Sequence, residues 1–446
     1  MLRPGFCERR RGLWFTGRGP DRLRPVSGAA LRGCFRVVRA MNDAVLECDN
    51  LNDPRERAEL RSAARELVPL LRSHAAETER LRDLAPAVDA ALRAGGFYTL
   101  TAPRKFGGRE AGVRTIIEVY SELGRGCGSS AWVGKIHCGA AHMASLFCDE
   151  ARQDVWGEDG SAVVSASLNG SASNTAHAVP GGFTISGEWR YASGVHQAQW
   201  LVCKLAVEQE GSGEQDLRLA LIPASEVSIV NTWDMAGMEG TGSDSFTVRD
   251  LFVPAHRTLP LASAMDDSLR SRDDLESVYR ASVPSMLGLS VAGPVIGMAR
   301  GALEHVMSML AQGRPVTGST YTNAIDFPSV QLAVADVASL IDTAELHAYR
   351  AADDIEAASL RGDHLDVAAR ARIRMDTGVV MLRCREAVER LLDLGGTSAF
   401  ARSNALQRYW RDVSTATRHA LVSPSLNREI YGRALLGITE QHVPIV

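Results

Sequence analysis

The chain has 446 residues, 45% of them hydrophobic and 23% charged, with a formal net charge of −4. A chain of this size buries a large core and divides into two or three domains, and its balance is ordinary for a soluble globular protein. No run of about eighteen apolar residues exists, so no membrane span is predicted, and the mild acidity gives no reason to expect nucleic acid as a partner.

Charge is unevenly spread. Residues 1–40 hold ten Arg against Glu8 and Asp21, a net of +8, which leaves −12 for the remainder. This start, MLRPGFCERRRGLWFTGRGPDRLRPVSGAALRGCFRVVRA, has no helical or strand period. It lacks the apolar stretch of a signal peptide, and its Pro and Gly break the amphipathic helix of an organelle-targeting segment. It reads as a disordered Arg-rich extension, with Met41 a candidate for the true start.

Residues 53–160 read as an N-terminal helical domain. DPRERAELRSAARELVPLLRSHAAETERLRDLAPAVDAALRAGG carries apolar residues at steps of three and four and closes on a Gly pair, a helix stop. From 161 to 262 the grammar changes to short, alternating, β-rich runs such as QWLVCKLAV and SFTVRDLFVP, separated by Gly, Ser and Asn turns. This predicts a central antiparallel β-barrel or sandwich. From 274 to 446 long amphipathic helices return, and their short connections predict a C-terminal four-helix bundle. The fold class is therefore α+β and multi-domain.

Eight cysteines are scattered without a C-x-x-C pair, and no His cluster supplies metal spacing. Buried free thiols in a reducing cytoplasm are expected, and no metal. There is no G-x-x-x-x-G-K-[ST], H-E-x-x-H or G-x-S-x-G. The glycine-rich GMEGTGSDS (237–245) leads into a strand rather than a helix, so it is not a dinucleotide fingerprint. Near the end, QRYWRDVSTATRHALVSP (407–424) sets Asp412 and His419 seven apart. On one helix they would share a face about 10 Å apart along the axis.

Four phrases carry a resemblance when taken together: GGFTISGEWRYASGVHQAQW (181–200), WDMAGMEGTGSDSFTVRDLFVP (233–254), GGTSAFARSNALQRYWRDVSTATRH (395–419) and YGRALLG (431–437). With the order helices, β-domain, helical bundle, they resemble the acyl-CoA dehydrogenase superfamily. Within it they are more similar to the oxygenase components of two-component flavin-dependent monooxygenases, which hydroxylate p-hydroxyphenylacetate, secosteroid phenols or polyketide pigments. The dehydrogenases often place a catalytic Glu a few residues after an Arg-Asp pair. Here Arg411-Asp412 is followed by no Glu, and His419 stands in that neighbourhood.

The resemblance implies reduced FMN or FAD delivered by a separate NAD(P)H:flavin reductase, O2 as co-substrate, and hydroxylation of an aromatic substrate through a C4a-hydroperoxyflavin. It also implies a homotetramer. Ser193, in WRYASG, matches the family serine that bonds flavin N5; the plainer reading is a turn residue before Gly194. His419 would act as base or polar partner of the oxygen adduct, an ordinary imidazole pKa near 6.5 suiting proton removal near neutrality; the plainer reading is a core histidine. Asp412 is expected to pair with a nearby arginine and anchor its segment. Trp132 would wall the flavin pocket or pack in the core, and His137 would reach the substrate, His142 being the weaker candidate. Ser167 and Asn169 match a loop on the flavin's pyrimidine side, and Tyr191 would lie against the ring. Arg314, Gln331, Gly395 and Gly396 sit where relatives reach a neighbouring subunit's cofactor. Alternatives on the same fold are an acyl-CoA dehydrogenase and an N-hydroxylase of an amine or amino sugar.

Overall fold

The first helical run folds as two helices. Helix α1 (Pro54–Leu81) starts on Asp53, whose Oδ1 accepts the Arg55 N–H at 2.9 Å, a side-chain cap for a first-turn donor. It ends at Arg82 in the left-handed region, φ 56°. Pro86 disfavours the helical region for Ala85, which is extended, and opens α2 (Pro86–Ala94), capped by Gly95. The computed structural model describes residues 53–208, 215–265, 268 and 275–438. The Arg-rich segment 1–40 and Met41 lie outside the described residues.

Helices α3 (Val113–Gly124), α4 (Gly128–Ser145) and α5 (Asp149–Trp156) complete the N-terminal layer. Helix α4 is buried nearly all round, its Lys135, His137 and His142 included.

The β-domain is two sheets. The first orders β1 (Val164–Ser167), β5 (Trp200–Glu208), β6 (Gln215–Pro223) and β9 (Thr258–Pro260). The second orders β2 (Asn169–Gly170), β4 (Gly182–Arg190), β8 (Ser245–Pro254) and β7 (Ser228–Val230), with β3 (Thr175–Val179) also on β4. One pair departs from the antiparallel expectation: β1 runs parallel to β5, with Val164 opposite Trp200. The chain leaves the first sheet after β1, builds β2 to β4 in the second, and returns in its original direction, the crossover a parallel pair requires. Ile185, Trp189, Leu201, Leu205, Ile222 and Phe246 form the β-domain core, with Trp189 stacked on Phe246 at 5.3 Å.

After the short α6 (Leu261–Met265) come α7 (Val283–Ser290), α8 (Ala292–Leu310), α9 (Pro328–Arg361), α10 (Val367–Gly395), α11 (Ala405–Ala416) and α12 (Pro424–Leu435). The bundle is built round α10, which packs on α8, α9, α11 and α12. The stretch Val283–Leu310 is apolar enough to resemble a membrane span by composition, yet 83% of its apolar window is buried inside the fold. Helix α8 also joins the bundle to α3. A Cβ on Gly297 would stand 2.3 Å from the Ser121 carbonyl, so glycine is what permits this crossing. Cys127, Cys138, Cys203 and Cys384 are buried free thiols, whereas Cys148 is free but exposed, against the expectation of burial.

Candidate active site

Three connections of the β-domain and the end of α11 enclose a cavity of about 570 Å³. The crossover after β1 contributes Asn169, and the return from β4 to β5 contributes Tyr191 and Ser193. The β7–β8 connection contributes Trp233, Met238, Thr241 and Ser243. Trp132 from α4 and His419 beyond α11 complete the walls. The backbone is strained here: Tyr191 and Met238 hold φ at 61° and 57°, conformations that cost about 1–3 kcal/mol each and cluster at functional sites. Gly194, at φ 69°, lies so close to α4 that a Cβ would meet His137 Nε2 at 2.5 Å.

Ser193 is held by a chain of hydroxyls. Its Oγ lies 2.7 Å from Ser243 Oγ, which lies 2.6 Å from Thr241 Oγ1. Thr241 donates to the Met238 carbonyl at 2.8 Å. A hydroxyl has one hydrogen, so that last bond sets the others: Ser243 donates to Thr241, and Ser193 donates to Ser243. Trp132 Nε1–H donates to Ser193 Oγ at 3.3 Å. With its hydrogen committed and one lone pair taken, Ser193 is left with a lone pair, and acts toward the cavity as an acceptor.

His419 departs from expectation in two ways. Helix α11 ends at Ala416, so His419 is not on one helix with Asp412. It caps the turn Ala420–Val422 instead, its Nδ1 accepting the Leu421 N–H at 3.3 Å, and its ring meets Trp132 edge-on at 5.6 Å. Burial, then the nearby charge of Lys135, push its pKa down to about 4. The imidazole is therefore neutral near pH 7 with its proton on Nε2, a hydrogen-bond donor, which favours the polar-partner role over the base with an ordinary pKa.

Asp412 pairs with no arginine among the described residues, against expectation. Its Oδ1 accepts the Met238 N–H at 2.5 Å, fixing the strained residue that ends the hydroxyl chain. Burial raises its pKa to about 7, against the lowering effect of that bond and of Arg411. Arg411 reaches Glu79 and Glu239 instead, tying α11 to α1 and to the cavity loop.

The structure thus brings Trp132, Asn169, Tyr191, Ser193 and His419 to one cavity. The other expected residues do not line it. Ser167 Oγ donates to the Arg190 carbonyl at 2.6 Å. His137 is fully buried, its Nδ1 on the Val164 carbonyl at 2.9 Å and its pKa pushed down to about 4 by burial. That corrects its expected reach to substrate; His142 is likewise buried, against Tyr279. Arg314 donates to the Leu394 carbonyl beside Gly395 and Gly396, and Gln331 Nε2 donates to the Ile325 carbonyl at 2.8 Å. Trp233, Met238, Thr241 and Ser243 were missed as site residues. Their signal was the phrase WDMAGMEGTGSDS, whose glycines read as an unremarkable turn.

Residues 54–158 match the acyl-CoA dehydrogenase N-terminal domain family, and residues 289–424 match its C-terminal domain family. The oxygenase subunit HsaA of a flavin-dependent monooxygenase from Mycobacterium tuberculosis is 32% identical over 379 residues, 83% of this chain and 94% of that protein. The oxygenase component of an FADH(2)-dependent resorcinol hydroxylase from Rhizobium is 30% identical over 386 residues, 83% of this chain and 92% of that protein. The solved structure of XiaF from Streptomyces, in complex with FADH2 and glycerol, superposes with a TM-score of 0.83 at 30% identity, covering 88% of this chain and 98% of that one. The chain belongs to the acyl-CoA dehydrogenase family. Within it, the chain is an oxygenase component of a two-component flavin-dependent monooxygenase.

The cofactor of that class is reduced flavin, and the cavity fits one. Its volume lies within the range of about 300–1,000 Å³ of small-molecule sites. Trp132, Tyr191 and Trp233 offer aromatic surface for a planar ring system, and the Asn169 amide and Thr241 hydroxyl offer polar contacts. The Ser193 lone pair suits an N–H donor, which N5 of a reduced flavin is.

Proposed function

We propose that this enzyme takes reduced FMN or FAD from a separate NAD(P)H:flavin reductase and uses O2 to hydroxylate a phenolic or polyketide aromatic substrate. The observation that carries this reading is the cavity lining. It contains no Asp or Glu among the described residues and does contain the His419 imidazole, in the sequence neighbourhood where the resemblance would set a dehydrogenase's carboxylate base. When bound, the reduced flavin supplies the electrons that activate oxygen. Ser193 accepts a hydrogen bond and fixes the ring's orientation. Trp132, Tyr191 and Trp233 keep water from its faces, which is the protein's part in such chemistry. His419 holds a proton at Nε2 and donates it in a hydrogen bond to the reacting oxygen or the substrate oxygen.

A homo-oligomer belongs to the same reading. Leu332, Leu346, Phe400, Leu435 and Leu436 on the bundle helices and their connections are each more than half exposed, apolar side chains that contact with further copies would cover. Arg314, Gln331, Gly395 and Gly396 would then serve a neighbouring copy's cofactor in a homotetramer. The free thiols among the described residues fit the reducing cytoplasm.

The test supplies anaerobically reduced FMN or FAD, then oxygen and a panel of phenols, and measures product against oxygen consumed. Product is expected with reduced flavin or with an added reductase, and none with NADH alone. Sustained NADH oxidation by the purified chain, or reduction of bound flavin by an acyl-CoA thioester, sinks the proposal.

A further inference from the structure

Asp244 stands just outside the cavity, between Ser243, which lines it, and the start of β8. It is 7% exposed, and both its carboxylate oxygens are engaged. Its Oδ1 accepts two consecutive backbone N–H groups of the β7–β8 connection, Thr232 at 2.7 Å and Trp233 at 2.8 Å. Its Oδ2 lies 2.9 Å from His196 Nε2, on the β4–β5 connection. Its own carbonyl accepts the N–H of Ala192, the residue between Tyr191 and Ser193, at 3.0 Å. One residue therefore grips both connections that bring Ser193 and Trp233 to the cavity. Burial works against ionisation here, but His196 and the two N–H groups outweigh it and hold the carboxyl below its ordinary range. An ionised acceptor makes the stronger bond to a backbone N–H.

The gripped segments meet again at the far end of the hydroxyl chain. Trp233 is a wall residue whose Nε1–H donates to the Met238 carbonyl at 2.9 Å. The same carbonyl takes the Thr241 hydroxyl. A carbonyl has two lone pairs, so the indole and the hydroxyl chain of Ser193 fill one acceptor between them. Tyr191 meets the Trp233 ring edge-on at 6.2 Å. The β7–β8 connection also has anchors of its own: Thr232 Oγ1 takes the Ser245 N–H at 3.0 Å, and Arg82 reaches Asp234 at 2.8 Å. What Asp244 adds is the place where Trp233 leaves that connection, fixed relative to Ser193.

We infer that Asp244 is a positioning residue for the flavin: by tying the Trp233 and Tyr191–Ser193 segments to one side chain, it keeps the aromatic wall and the Ser193 acceptor in a single register. This rests on the reading that reduced flavin occupies this cavity. It gives Asp244 no contact with flavin or substrate and no proton to move. The residue acts through Trp233 and Ser193, on how tightly the ring is held and how well water is kept from it, which is the protein's part with such a cofactor.

The test labels the full chain with 5-fluorotryptophan and follows its fluorine NMR signals without flavin. It then measures affinity for reduced FMN and reduced FAD under anaerobic conditions, and the rate at which peroxide appears when oxygen is admitted without substrate. Asp244→Ala should move the signals of Trp233 and of Trp132, which bonds Ser193, and leave that of Trp410 on α11 in place. Flavin affinity should weaken about tenfold and peroxide should appear about tenfold faster, the scale of a lost hydrogen bond to a charged group. Asp244→Asn keeps an oxygen for both N–H groups and should stay within about threefold of the parent, the lower end of a net hydrogen bond. His196→Ala leaves both N–H groups bonded, so it should move the Trp132 signal and not that of Trp233; it and the Asn variant carry the test if Asp244→Ala does not fold. If Asp244→Ala keeps the parent's affinity and peroxide rate, if Asn loses them as well, or if His196→Ala moves neither signal, Asp244 only shapes its loop and the inference fails while the hydroxylase reading stands. If the parent itself holds neither reduced flavin, the cavity reading falls, and this inference with it.

Discussion

The two sides of the cavity are held in opposite ways. On the β-domain side, Ser193 is fixed by Trp132, by Ser243 and by its own backbone carbonyl on Ser165 Oγ. The chain behind it ends on the carbonyl of a strained residue. On the bundle side, His419 stands on a turn beyond its helix, with Nδ1 engaged by one backbone N–H and Nε2 left for the cavity. Proton positions on the first side are dictated by the fold, and on the second by what binds. A rigid acceptor suits a cofactor that is always the same ring; a lightly held donor suits a reacting oxygen and a substrate that must enter and leave.

The largest effect should come from breaking the lightly held side. His419→Asn keeps polarity and approximate size but moves the donor. It should leave a folded protein that binds reduced flavin and lower hydroxylation about 100-fold, within the usual span for a positioned proton-handling group. Stopped-flow rates with reduced flavin and oxygen check this. In the parent, NMR should show His419 neutral down to about pH 4, because burial and then Lys135 disfavour its charged form. A titration near 6.5 would restore the ordinary base. A parent-like rate in His419→Asn would leave the residue as packing.

Ser193→Ala attacks the rigid side and should do less. The ring still binds between the aromatic walls, but its N–H loses a fixed acceptor. Product per oxygen consumed should fall about tenfold, a loss at the upper end of one net hydrogen bond, with peroxide making up the difference. An unchanged ratio would make Ser193 a turn residue whose hydroxyl merely satisfies Trp132.

The sequence carried the order of domains and the residue types of both walls because each is local: a period, a turn, a phrase. The neighbourhood of His419 could be located from the Arg411-Asp412 pair, but not its environment. That depends on where α11 stops, and nothing in VSTATRH says that the helix ends at Ala416. For the same reason the expected partner of Asp412 was wrong: its Oδ1 reaches a backbone N–H 174 positions away. The hydroxyl chain was equally hidden, since Ser193 and Ser243 meet only when the β4–β5 and β7–β8 connections fold onto one another. His137 was misplaced by reading helix position without knowing which face of α4 meets the cavity. Trp132 faces it, whereas His137 faces Tyr98. Arg314 and Gln331 were expected at a cofactor, whereas within the chain they bond the Leu394 and Ile325 carbonyls, contacts set by tertiary packing.

Asp412 links the two sides, since it stands on α11 and holds Met238. Its folded pKa of about 7 lies above the ordinary 3.8, with burial the first cause. Between pH 4 and 7 the folded state therefore binds the proton more tightly than the unfolded chain. The stability this contributes is complete below pH 4, declines as pH rises, and is gone above about 7. Asp412→Asn keeps an oxygen for Met238 N–H and cannot ionise. At pH 8 it should be more stable than the parent by on the order of 1 kcal/mol, below the full 1.4 kcal/mol per pKa unit because the site relaxes around the charge. At pH 4 the two should agree. Calorimetry at both pH values isolates Asp412 from the buried histidines, whose lowered pKa values act with the opposite sign and are common to both proteins. A constant difference across pH would mean that the side chain is ionised in both states throughout.

The smallest effect tests whether the rigid side works through proton positions or only through shape. Ser243 touches Ser193 and Thr241. Removing its hydroxyl in Ser243→Ala leaves Ser193 Oγ where it is but takes away the acceptor of its hydrogen. That hydrogen is then free to turn toward the cavity, where it would face an N–H instead of offering that N–H a lone pair. Rotation back costs little, so the loss should be modest: product per oxygen consumed down about threefold, the lower end of a net hydrogen bond. Flavin affinity and melting temperature should stay near the parent's. Ser243→Thr, which keeps the hydroxyl, should recover most of the loss, and Thr241→Val should reproduce part of it by removing the link to the Met238 carbonyl. If Ser243→Ala couples as well as the parent while Ser193→Ala does not, the acceptor role of Ser193 comes from Trp132 alone, and the chain to Met238 is a brace for the loop.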